Sequence, residues 1–121
     1  GINFEGEGGI GLDAYCLVLL TDCNFTGWDT AAVSQNGAWV NAMECTFANN
    51  TVGLKFSTTM AYGTAPNYLN NTFTGNGTAV CIDSLPGNEV IDFAGSVFSG
   101  NDTDIENKAD HAVDTAKATF E

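Results

Sequence analysis

One short phrase recurs along this chain and constrains its fold more than any other feature. A Phe is followed by two small or polar residues, then usually Asn, then a small residue and an aliphatic one. It reads Phe47, Ala48, Asn49, Asn50, Thr51, Val52; then Phe73, Thr74, Gly75, Asn76, with Ala79 and Val80 behind; then Phe98, Ser99, Gly100, Asn101, with Ile105 behind. Looser copies start at Phe4 and Phe25, and another begins at Phe120, so the steps are 21, 22, 26, 25 and 22 residues. A period in the low twenties is the mark of a stacked repeat, in which each unit buries its apolar face only against its neighbours.

Aligned on the Phe, other positions fall into columns. Seven before lie Val18, Val40, Pro66, Ile91 and Val113, and five before lie Leu20, Ala42, Tyr68, Phe93 and Thr115. Two before lie Cys23, Cys45, Asn71, Ser96 and Ala118, all small or polar. No stretch keeps a helical three-to-four spacing, while Thr, Val, Asn and Gly abound, so each repeat reads as short strands joined by bends. Even residues 106–117, which contain helix formers, align with the rung before Phe47 and read as another rung. The expected fold is all-β, a right-handed parallel β-helix of about five and a half rungs, with residues 1–121 forming one segment of a longer solenoid.

Stacking at about 4.8 Å per rung has consequences for named residues. The Phe column becomes an internal aromatic stack. Trp28, Asn50, Asn76 and Asn101 become a ladder at a bend, where side-chain amides satisfy backbone groups and Asn tolerates a left-handed corner. Extra residues in the two longer steps are expected to bulge as loops around 58–66 and 84–89, each with Gly and Pro. Cys23 and Cys45 share a column one repeat apart, which makes them the one pair within reach of a disulfide; free thiols there are the alternative. Cys16 and Cys81 are expected to stay apart.

The phrase F-x-x-N with its small and aliphatic followers resembles the repeats of right-handed parallel β-helix proteins. These include pectate-lyase-like enzymes, NosD-type carbohydrate-associated repeats and polymorphic outer-membrane adhesins. The resemblance implies the fold and a carbohydrate-facing or adhesive setting. It carries over no catalytic residue. Pectate-lyase-like sites pair calcium-holding carboxylates with an Arg base, and this chain has no Arg; its single histidine, His111, has no G-H-G phrase around it.

Composition narrows the function further. Fifteen acidic residues face three lysines, Lys55, Lys108 and Lys117, for a net charge of −12. That charge opposes binding to phosphate backbones and to anionic membranes, so neither nucleic acid nor membrane insertion is expected. The longest apolar run, at 14–20, is far too short to span a bilayer and lacks a basic flank. Cysteine spacing offers no zinc motif. Lys55, between inward Leu54 and Phe56, reads as solvent-facing rather than as a lowered-pKa base.

Alternating Asp102, Asp104 and Glu106 form the candidate calcium ligand set, against a plainer reading as a solvated acidic rim. Asp22 and Glu44 stack in one column and are read as solvated. Five N-x-[ST] sequons occur, at Asn24, Asn49, Asn70, Asn76 and Asn101, of which the last two belong to the ladder. The columns flanking the Phe (Asn24 and Thr26, Thr46 and Ala48, Thr72 and Thr74, Val97 and Ser99, Thr119 and Glu121) present small polar residues at regular spacing.

The expected function is a non-catalytic extracellular or cell-surface module for display, adhesion or glycan contact. Its expected partners are a polysaccharide, or another chain capping the open solenoid ends. The alternatives are a fragment of a pectate-lyase-like polysaccharide lyase or glycoside hydrolase, and an ice-binding β-helix.

Overall fold

In the computed structural model, which describes residues 1–35, 37–61 and 67–121, every element is a strand and none of the described residues is helical. No helix is therefore long and apolar enough to cross a membrane. The first rung is β1 (Asn3–Glu5), β2 (Ile10–Ala14) and β3 (Val18–Thr21). The second is β4 (Asn24–Thr26), β5 (Thr30–Gln35) and β6 (Val40–Met43). The third holds β7 (Thr46–Ala48) and β8 (Val52–Ser57), with Asn67 standing where a third strand would lie. Then come β9 (Thr72–Thr74), β10 (Thr78–Ser84) and β11 (Ile91–Asp92), followed by β12 (Val97–Ser99), β13 (Thr103–Asn107) and β14 (Val113–Asp114). A last strand, β15 (Thr119–Phe120), opens one more rung.

All pairings are parallel and join equivalent strands of successive rungs, giving a β-solenoid of about five turns. One face is the six-stranded sheet β1-β4-β7-β9-β12-β15, a second is the five-stranded sheet β2-β5-β8-β10-β13, and the third is made of the pairs β3-β6 and β11-β14. The Phe alignment is the register itself: Phe4 pairs with Phe25, Phe25 with Phe47, Phe47 with Phe73, Phe73 with Phe98 and Phe98 with Phe120. Their rings stack nearly parallel with centroids 4.5–5.2 Å apart, the rung spacing expressed in side chains.

Around this stack the core closes with Val40, Leu54, Phe56, Tyr68, Val80, Ile82, Ile91 and Phe93, all fully buried. Tyr68 and Phe93 approach Phe56, Phe73 and Phe98 edge-on or tilted, so the wider rungs fill the interior with crossed rings. The buried Tyr68 hydroxyl donates to the carbonyl of Val40, as a phenol in an apolar core must find a partner. Residues 58–61 and 85–90 carry no strand and form the expected excursions; Pro66 and the rest of 62–66 lie outside the described residues.

The corners differ from expectation in one respect. The ladder asparagines are not left-handed; the residues just before them are. Gly27, Asn49, Gly75 and Gly100 have φ of 84°, 58°, 66° and 64°. A second left-handed column precedes the Cys23 column: Asp22, Glu44, Asn70 and Gly95 have φ of 54°, 56°, 60° and 72°. Gly27 is doubly constrained, because a Cβ there would sit 2.1 Å from the carbonyl oxygen of Gly6.

Candidate functional site

Two features of the surface bring together residues with chemistry. The first is the outer side of the β2-β5-β8-β10-β13 sheet. Parallel register lines up Asp13, Val33, Lys55, Cys81 and Glu106 in one outward column. A register shift between Ile82 and Ser84 leaves Asp83 as an extra residue in β10, and a bulge of this kind re-aims a side chain. Asp83 therefore joins the column. Its carboxylate lies 3.3 Å from the Lys55 ammonium and 3.2 Å from that of Lys108, which is in turn 3.1 Å from Glu106. The Cys81 thiol donates to Asp83 at 3.4 Å and lies 3.7 Å from Glu106.

The electrostatics follow from this packing. Burial, then the hydrogen bond to and charge of Asp83, push the Cys81 thiol up to about 11, so it is a protonated thiol and not a nucleophile near neutral pH. Burial alone would raise the Asp83 carboxyl, but hydrogen bonds from Lys108, Cys81 and Lys55 outweigh it and hold the group below its usual range. Hydrogen bonds to Glu106 and Asp83 raise Lys108. Lys55, Asp83, Lys108 and Glu106 thus form one chain of alternating ammonium and carboxylate groups. Cys81, Asp83 and Glu106 place three ligand-type atoms within 4.8 Å of one another, the one such group among the described residues. A cation entering there would have to displace Lys108 and a thiol proton.

This is where the sequence-level candidates separate. Of Asp102, Asp104 and Glu106, only Glu106 belongs to the cluster. The Asp104 carboxylate accepts from the Asn101 amide at 3.1 Å, and Asp102 is exposed. Lys55 faces outward between buried Leu54 and Phe56, as expected, and its charge is bound to Asp83. The Lys55, Cys81 and Glu106 column was readable in the residues that follow the Phe, whereas the place of Asp83 depends on the bulge. Carrying the alignment eight residues past the Phe gives Val33, Lys55, Cys81 and Glu106, and ten past gives Gln35, Ser57, Asp83 and Lys108.

The second feature is the outer side of the six-stranded sheet. Asn3, Asn24, Thr46, Thr72, Val97 and Thr119 form one column, and Glu5, Thr26, Ala48, Thr74 and Ser99 another. The columns bond within themselves, Asn24 to Asn3 at 2.7 Å and Ser99 to Thr74 at 3.1 Å. Two sequons, Asn49 and Asn70, are exposed left-handed corner residues, and Asn24 is exposed on β4. Asn76 is buried in the ladder. All four cysteines are free, Cys16 exposed and the others buried. Cys23 and Cys45 each donate to a carbonyl two residues earlier, of Thr21 and Met43, and burial raises the Cys45 thiol.

Comparison with protein-family models, with curated proteins and with solved structures finds no match to this chain.

Proposed function

We propose that this β-solenoid is a non-catalytic binding module that contacts neutral polysaccharide along its six-stranded face, in an extracellular or cell-surface setting. The observation that carries the reading is the pair of in-register columns on the six-stranded sheet, in which hydroxyl and amide side chains predominate, interrupted by Ala48 and Val97. A repeating array of donors and acceptors matches a repeating polymer, whose weak contacts add along its length. Charge selects the class of glycan. The two columns are uncharged apart from Glu5 and Glu121 at their ends, while the chain as a whole carries −12, which repels polyanions and leaves neutral polymers. The resemblance of the F-x-x-N rungs to carbohydrate-associated and pectate-lyase-like β-helices supports the same setting.

Affinity electrophoresis in gels containing soluble xylan or mixed-linkage glucan tests the reading. Retardation of the wild-type chain, lost in Thr74→Arg with thermal stability retained, is the expected result. Unchanged mobility in both gels overturns it, and so does retardation that Thr74→Arg leaves intact.

A further inference from the structure

The buried imidazole of His111 is the one histidine ring in the molecule, and both of its nitrogens face backbone oxygens. Nδ1 lies 2.9 Å from the carbonyl of Leu85, and Nε2 lies 2.6 Å from the carbonyl of Glu89. The two carbonyls stand at either end of the 85–89 excursion between β10 and β11, so the ring spans the loop from within. Its own placement is fixed by Asn107. The Asn107 Oδ1 accepts from the His111 amide at 3.0 Å, and the Asn107 amide donates to the His111 carbonyl at 2.7 Å. His111 is only 7% exposed, which leaves little room for water to replace either partner.

A carbonyl oxygen only accepts hydrogen bonds. A neutral imidazole has one N–H and one bare lone pair, so it satisfies one of these oxygens and sets a lone pair against the other; only the imidazolium donates to both. We propose that His111 is a protonation-controlled latch, holding the 85–89 excursion against the solenoid as imidazolium and releasing one end of it as neutral imidazole. Charge on the ring therefore decides whether one end of the excursion or both ends are held. The charged residues on the surrounding elements are Asp83 on β10, Glu89 on the excursion, Asp92 on β11, Asp104 and Glu106 on β13, Lys108 and Asp110 on the turn before His111, and Asp114 on β14. Lys108 is engaged with Asp83 and Glu106, and Oε2 of Glu89 is buried with no hydrogen-bond partner. Glu89→Gln therefore separates any titration of that carboxyl from titration of the ring.

The test is an NMR titration of the full chain from about pH 5 to about pH 8, the range in which histidine changes charge. It follows the His111 ring signals together with amide exchange of residues 87–90, corrected for intrinsic base catalysis. The expected result is exchange that rises several-fold with the same midpoint as the ring, in wild type and in Glu89→Gln. In His111→Gln the corrected exchange should no longer depend on pH. Loop exchange that stays flat while the ring titrates overturns the latch, as does a ring that remains a single neutral tautomer throughout. The wild-type titration decides the matter even if His111→Gln does not fold.

Discussion

The asparagine ladder shows how one residue type repeated at one position solves a recurring problem. At each of these corners a backbone N–H and a Phe carbonyl are met by the side chain of one Asn on the next rung. Asn76 meets both needs of the rung before it, its Oδ1 accepting from the Asn50 amide at 3.0 Å and its Nδ2 donating to the Phe47 carbonyl at 2.9 Å. Asn101 does the same for Asn76 and Phe73, and Asn50 for Trp28 and Phe25. Trp28, which breaks the pattern in sequence, keeps it in chemistry: its indole N–H donates to the Phe4 carbonyl at 3.0 Å. An indole has a donor but no acceptor, so it fills half of the role. Asn76→Leu removes donor and acceptor together while keeping the volume, and each buried partner left alone costs about 1–3 kcal/mol. Urea unfolding should therefore show a loss of at least about 2 kcal/mol; a loss below about 0.5 kcal/mol would mean that water reaches the corner.

At the scale of the element, the two corner types turn out to be one device used twice. In each, where the next rung carries Asn or Ser at that position, its side chain meets the N–H of the residue that follows the left-handed one. At the second corner Asn71 accepts from the Cys45 amide and donates to the Ala42 carbonyl, and Ser96 serves Asn71 and Tyr68 likewise. Sequence columns exposed the smallness of this second set but not its bonding, because Cys, Asn and Ser share size rather than a side-chain amide. The left-handed positions were hidden for a related reason. Glu44 occupies a conformation that costs most residues with a Cβ about 1 kcal/mol, Asn and Asp less, so its identity gives no hint of it. Glu44→Asn should stabilise the chain by about 0.5–1 kcal/mol in the same assay, since Asn70 already holds that conformation one rung on. No gain, or a loss, would show that Glu44 makes compensating contacts through its longer side chain.

For the whole molecule, charge is the dominant unbalanced term. Three lysines offset fifteen carboxylates, and two of the three are spent on one cluster, so most acidic groups repel one another across the solenoid surface. Salt shortens the reach of that repulsion to about 10 Å at 0.1 M, so the melting temperature should rise by a few degrees between about 10 and about 200 mM NaCl. A fall in melting temperature would instead mean that screening of the Lys55–Asp83–Lys108–Glu106 pairs outweighs relief of repulsion. The repeat by itself determined that the chain stacks, which residues form the aromatic column, and which asparagines line a bend, because a fixed period forces equivalent residues one rung apart whatever the rest of the chain does. Only the tertiary structure decided which residues meet across the period. The bulge at Asp83 slides a carboxylate between two lysines, and the 85–89 excursion brings two carbonyls to the nitrogens of His111. Both events depend on where backbone leaves the repeat, and a periodic pattern carries no information at the points where it is interrupted.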